Sequence, residues 1–192
     1  MARIGFKKAK YNKIVNGAYA PIKNGVPEFE KVIDEKFAPE YNNAELYAND
    51  GLAECDYSFK KGTLSLTIAD DDDAFIAELF GSTVAESGGE VSTSIESLAP
   101  EIAYGHIIPK IVGNVRKYKV EFFPRVKFTE VSGDNKTRAE SVEFGTTSLT
   151  AVVMPLDTAI NGVSAGIWEK HKTFATLAEA ESYLDSLLTP TA

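Results

Sequence analysis

The sequence predicts a mainly β fold with one short flanking helix and one C-terminal helix, and three observations lead there. The stretch from Lys117 to Met154 reads as two long amphipathic strands joined by a polar turn. Tyr118, Val120, Phe122, Val126 and Phe128 share one parity, with Lys119, Glu121, Arg125 and Lys127 among the opposite positions. Leu64, Leu66 and Ile68 alternate with Thr63, Ser65 and Thr67, the period of a strand buried on one face. Two other segments, Asp70 to Gly81 and Thr176 to Leu188, instead set their apolar residues on a helical face.

Taken in order, the first fifty residues are irregular. Lys13-Ile14-Val15 and Phe29-Glu30-Lys31-Val32-Ile33 are interrupted by Gly17, Pro21, Gly25, Pro27 and Pro39, which predicts short strands between turns and then a surface loop through Tyr41 to Tyr47. A strand from Glu54 to Lys60 follows, with Cys55, Tyr57 and Phe59 on one parity, and Lys61-Gly62 punctuates it before the Thr63 to Ile68 strand. The helix at Asp70 to Gly81 opens on four aspartates, which complement the positive end of its macrodipole, and Gly81 stops it. Ser82 to Ser97, with Ser87-Gly88-Gly89-Glu90, reads as an exposed loop, and Leu98 to Val115 as an irregular strand region. The ribbon turns at Ser132 to Lys136 and resumes through Ala139, Val142, Phe144, Leu149, Ala151 and Val153. Thr176 and Glu179 form a capping box for the last helix, about residues 176–188, and Pro190 stops it.

A length of 192 residues and 44% hydrophobic content suit a single domain, 1–192, with its own core. A net charge of −8 argues against a general nucleic-acid-binding surface, because phosphate neutralisation needs clustered Lys and Arg; DNA that is merely enclosed is compatible with it. Cys55 is the only cysteine, so no internal disulfide forms and assembly in a reducing cytoplasm is expected. Met1-Ala2-Arg3-Ile4-Gly5 is not followed by an apolar run, so no signal peptide is expected, and no stretch of about 18 apolar residues could span a bilayer.

Catalytic and metal motifs are weak. Asp70 to Asp73 lacks the alternating ligands, central glycine and terminal glutamate of a calcium loop and reads as a solvated helix start. His106, His171 and Cys55 have no local metal-ligand spacing and are expected to be structural or exposed. Ser58-Phe59-Lys60-Lys61 matches S-x-x-K in a strand, without the partner motifs that use it. No phosphate-cradling glycine loop is present, and Asn135-Lys136-Thr137 reads as turn chemistry rather than a glycosylation site. The aromatics of Lys117 to Phe128 fall mainly on the apolar face, so core packing outweighs base stacking. No enzyme activity, cofactor or metal is expected.

Several segments together resemble the major tail proteins of long, flexible-tailed, siphovirus-type bacteriophages. They are Tyr47-Ala48-Asn49-Asp50-Gly51 before a strand, the helix end Leu79-Phe80-Gly81, Tyr118-Lys119-Val120 leading to Val126-Lys127-Phe128, Lys136 to Phe144, and the approach from Trp168 to Phe174 to the last helix. The resemblance runs from about Tyr47 to Leu188 and rests on order and spacing. It implies a tail-tube-type β-sandwich or barrel with a flanking helix, in hexameric rings that stack into a virion tail tube assembled in the host cytoplasm. Implied partners are other copies of the chain and the tape-measure, tail-tip and tail-terminator proteins; DNA passes without specific binding, and no membrane is involved. An acidic bore would repel phosphate, and Glu121, Glu140 and Glu143, on the polar faces of the ribbon, are the candidate lumen acids. Tyr41, Asn43, Glu45, Tyr47, Asn49, Asp50, Ser87 and Glu90, on long surface segments, are the candidate inter-subunit residues. The alternative is a monomeric β-sandwich that binds carbohydrate or protein and decorates a particle.

Overall fold

A computed structural model describes residues 2–3, 5–29, 31–48, 51–69, 72–85, 89–133 and 145–190. In chain order the elements begin with strands β1 (Ala2–Arg3), β2 (Lys7–Val15), β3 (Ala18–Tyr19), β4 (Glu28–Phe29), β5 (Val32–Tyr41), β6 (Ala44–Ala48), β7 (Gly51–Asp56) and β8 (Phe59–Ile68). Helix α1 (Asp73–Phe80) is followed by β9 (Thr83–Val84), β10 (Val91–Ser92), β11 (Glu101–Val112), β12 (Val115–Gly133), β13 (Thr147–Val153), β14 (Lys170–Phe174) and helix α2 (Leu177–Leu188). The fold is mainly β, built on one large antiparallel sheet that does not close into a barrel. Its strand order is β3-β2-β11-β12-β13-β8-β5, with β1 added to β11, β4 to β2 and β14 to β12. The pairs β6–β7 and β9–β10 stand apart as hairpins.

Tight turns set the registers. Gly113 and Asn114 both have positive φ (55° and 62°), the backbone that a two-residue hairpin loop needs to match strand twist, and they pair Val112 with Val115. Asn16-Gly17 does the same between β2 and β3.

Strand β12 does not present one apolar face along its whole length, contrary to the parity of its sequence. Ile102 pairs with Val126 and Tyr104 with Phe123, so one extra residue sits on β12 around Pro124-Arg125. Pro124 has no N–H to give to the ladder, and a bulge accommodates it. The bulge exchanges the faces. Val120 and Phe122, before it, pack in one buried cluster with Ala103, Ile107, Leu156, Val163 and the inner side of α2. Val126 and Phe128, beyond it, pack in the other with Tyr11, Leu64, Leu66, Tyr104 and Leu149. Both faces of the central strands are therefore covered.

Side chains of β2 alternate between these two layers. Ala9 and Tyr11 enter the cluster that α1 closes through Leu79, whereas Lys10 and Asn12 point to α2. Lys10 Nζ lies 2.6 Å from Asp185 Oδ1, and Asn12 Nδ2 donates to the Leu188 carbonyl at 2.9 Å. Asn161 Nδ2 reaches the carbonyls of Leu187 (2.9 Å) and Thr189 (2.8 Å). Carbonyls at a helix C-terminus lack intrahelical donors, and these two asparagines supply them. At the other end the capping box of Thr176 and Glu179 forms as its sequence predicts. Helix α1 likewise starts on Asp72, whose side chain accepts from Ala74 N, and stops at Gly81 with φ 70°.

Other expectations are corrected. The segment after Tyr41 is not a plain loop: β6 and β7 make a hairpin arm whose Leu46 and Tyr47 are 58% and 65% exposed. Lys61-Gly62 does not break a strand, because Gly62 lies inside β8 between Pro39 and Val153, where a Cβ would meet the Phe37 ring at 2.3 Å. The break falls instead at Tyr57-Ser58. Leu98 to Val115 contains a regular twelve-residue strand, β11, at the centre of the sheet. The resumption of the ribbon between 134 and 144 lies outside the described residues, and β13 pairs with β12 only from Gly133↔Thr147 to Val126↔Val153.

Candidate functional site

A groove of about 490 Å³ opens between edge strand β5 and the central strands β11 and β12. Aromatic residues Phe6, Phe37, Tyr41 and Trp168 form part of its wall, and charged residues stand at its base. The base is built by register. The turn at Gly113-Asn114 sets His106 of β11 directly opposite Glu121 of β12, and Glu35 of β5 approaches from across the inner layer.

His106 is 1% exposed. Its Nδ1 lies 3.1 Å from Glu35 Oε2 and its Nε2 3.5 Å from Glu121 Oε2. The Nδ1 approach is close but lacks the alignment of a hydrogen bond, so it acts as an ion pair when the ring is protonated. Lys119 Nζ pairs with Glu121 Oε1, and the Tyr104 hydroxyl donates to Glu35 Oε2 at 2.9 Å. The Phe6 ring stacks on His106 at 4.9 Å between centroids. Burial alone would raise the Glu121 carboxyl; hydrogen bonds and positive charge from His106 and Lys119 outweigh it and hold the group down at about 2. Burial, reinforced by the charge of Glu35 and the hydrogen bond to it, pushes the Tyr104 hydroxyl well above its ordinary value, so it stays a donor.

Glu35, His106 and Glu121 bring potential metal-ligand atoms within 4.8 Å of one another among the described residues. Their arrangement suits a metal poorly. An ion takes one imidazole nitrogen, along its lone pair, whereas the two carboxylates lie against opposite nitrogens and Lys119 already neutralises Glu121. The hydroxyl at the cluster, that of Tyr104, is fully buried and directed at Glu35.

Glu121, read from the sequence as a lumen acid, is thus 8% exposed and enclosed against β5. Glu140, Glu143, Asn49, Asp50 and Ser87 lie outside the described residues. Tyr41 ends β5 at the rim of the groove and is half exposed, and Asn43 is exposed between β5 and β6. Glu45 and Tyr47 are exposed on the arm, where the Tyr47 hydroxyl donates to Glu45 Oε2 at 2.7 Å and lowers that carboxyl's pKa. Glu90 is exposed just before β10.

Glu35 is not singled out by the sequence; Lys119 is read there only as a polar-face residue, and His106, expected to be structural or exposed, is buried. One signal for them was present: a two-residue turn at Gly113-Asn114, counted back along both strands, places His106 beside Glu121. Nothing local points to Glu35, which arrives from another part of the sheet. No family model and no curated protein matches the chain.

Proposed function

We propose that the chain is a structural subunit that assembles side by side into hexameric rings, which stack into a phage-type tail tube for DNA delivery. The observation that carries this reading is the open end of the sheet. Strand β5 is ten residues long and, among the described residues, pairs only with β8, so its outer edge offers backbone donors and acceptors to another chain. Long free edges invite uncontrolled pairing unless they are blocked or used, and lateral pairing of copies into a closed ring uses them. The arm β6–β7 follows that strand in the chain, and its Leu46 and Tyr47, with Tyr57 just beyond it, are exposed, a further surface suited to a neighbouring copy. The segment resemblance to major tail proteins supplies the ring, the tube and the tape-measure, terminator and tip partners. With Glu121 enclosed, the acidic bore of this reading rests on Glu140, Glu143 and the net charge of −8.

Electron microscopy of the concentrated protein, with hydrogen exchange on β5, tests the proposal. Rings or tubes with β5 protected on assembly are expected. A chain that stays monomeric in sedimentation at millimolar concentration, its outer β5 amides exchanging freely, overturns it.

One observation favours the second reading, a monomeric binding module. The groove combines aromatic rings with carboxylates, as sugar- and peptide-binding clefts do. Its Trp168, however, already stacks on Phe59 at 4.2 Å and 3° between planes, which commits one ring face to packing. Chemical-shift changes at Trp168 and Phe37 on addition of glycans, without self-association, are the outcome that supports the binding module.

A further inference from the structure

The geometry points to a socket for the arm: the acidic β6–β7 arm of one copy docks on the basic end of the β11–β12 hairpin of another. This docking rests on the side-by-side assembly, and it gives the exposed arm the surface that covers it.

From Asn42 to Ser58 the sequence holds four acids, Glu45, Asp50, Glu54 and Asp56, and no Lys, Arg or His. Register sorts three of them onto two faces of the arm. Glu45 stands opposite Cys55 and is engaged by the hydroxyls of Tyr47 and Tyr57. On the other face Glu54 stands opposite Leu46 and Asp56 opposite Ala44, so two acids adjoin an exposed leucine. Neither Glu54 nor Asp56 has an ion-pair partner among the described residues.

The end of the β11–β12 hairpin has the opposite character. From Lys110 to Lys117 there are three cations and no acid. Arg116 stands opposite Ile111 and Lys117 opposite Lys110, and Ile111 and Val115 are exposed. Arg116 and Lys117 are exposed as well, without ion-pair partners among the described residues. Each surface thus sets exposed aliphatic side chains beside charge of one sign, and the two signs are opposite. Complementary charge orients the encounter, and Leu46 against Val115 and Ile111 adds apolar burial. A nucleic acid fits this end less well. Three cations are few for phosphate neutralisation, the aliphatic side chains gain nothing from a phosphate backbone, and the chain as a whole is acidic.

Arm and socket lie on different elements, so the contact is head-to-tail rather than self-complementary. Each copy then keeps one arm and one socket for further copies, and repetition gives a ring where the rotation closes and a filament where it does not. The contact is a second joint beside the β5 edge, and one that salt weakens.

Opposite charge reversals test the docking without touching a buried side chain. One variant carries Arg116→Glu and Lys117→Glu, the other Glu54→Lys and Asp56→Lys. In sedimentation, each variant alone should associate on the order of tenfold more weakly than the parent, the effect of turning two exposed ion pairs into repulsions. A 1:1 mixture should recover the parent's association, because acidic arms then meet basic ends and basic arms meet acidic ends. Carbodiimide treatment of the unmodified protein supplies a readout that needs no variant. It should join Lys117 to Glu54 or Asp56 by an amide, between copies in an equal mixture of nitrogen-14 and nitrogen-15 chains. The docking is overturned, with the assembly left standing, if the parent assembles and both variants assemble as it does, or if the variants weaken and their mixture recovers nothing. Short single-stranded DNA that binds the parent but not the Arg116→Glu, Lys117→Glu variant, with association unaffected, also overturns it by making nucleic acid the occupant. A parent chain that stays monomeric at millimolar concentration overturns assembly and docking together.

Discussion

Glu121 carries its charge into a nearly closed site, and its value has a direct consequence for acid stability. An ordinary glutamate titrates near 4.3; in the folded chain Glu121 titrates at about 2, because His106 and Lys119 favour its ionised form over the cost of burial. A carboxylate depressed in this way stabilises the fold fully above its unfolded value and loses that contribution as pH falls through the folded value. Unfolding free energies measured in urea should therefore drop by about 3 kcal/mol on this account between about pH 5 and pH 2. In Glu121→Gln that component should vanish, leaving a flatter acid limb and lower stability at neutral pH. An unchanged acid limb would show that the pairing contributes nothing. Gly62 is a second position where one atom decides. A methyl group there would fall 2.3 Å from the Phe37 ring, which packs against Phe123 at 4.8 Å between centroids, so the ring must shift. Overpacking of this kind costs roughly 1–3 kcal/mol, and Gly62→Ala should lower the denaturation midpoint accordingly.

Among the elements, those legible in the sequence are the ones whose signals are local. Thr176 and Glu179 announce the start of α2, Asp72 and Gly81 bound α1, and Leu64, Leu66 and Ile68 mark the buried face of β8, because a cap or an alternation needs only its neighbours. Strand β12 was harder to read for a physical reason. Its even-numbered residues from Tyr118 to Phe128 are apolar on both sides of Pro124, so the pattern looks continuous, yet the bulge sends Phe122 and Val126 to opposite clusters. The cluster around His106 was less legible still, since its residues come from three strands and meet only through pairing. The C-terminus of α2 was equally silent in sequence, because its caps, Asn12 and Asn161, come from distant segments. Asn161→Ala removes donors to the carbonyls of Leu187 and Thr189 and should destabilise the chain by about 1–2 kcal/mol, the range for losing a helix cap or leaving buried acceptors unmade. Faster exchange confined to the last turn of α2 would accompany it; no change in either would mean that water replaces the amide without loss.

At the scale of the molecule, the two clusters of buried residues account for the stability of one chain and leave a second set of features that single-chain folding does not use. The arm β6–β7 contributes little to either cluster, yet Tyr47 and Tyr57 are held by Glu45 in a fixed arrangement in solvent. Ordering exposed aromatic side chains costs conformational entropy without burial to offset it. In the proposed assembly that cost would be recovered where a neighbouring copy covers them, which makes the arm the place to separate folding from assembly. Leu46→Ser combined with Tyr47→Ser alters only surface that is already exposed, so the melting temperature of the isolated chain should stay within the shift expected for about 0.5 kcal/mol. The same protein should fail to form rings or tubes under conditions where the parent chain forms them, with a loss of association in sedimentation as the quantitative readout. Normal assembly by this variant would remove the arm from the interface and leave the β5 edge as the remaining candidate joint, whereas a large fall in melting temperature would show that the arm belongs to the core after all.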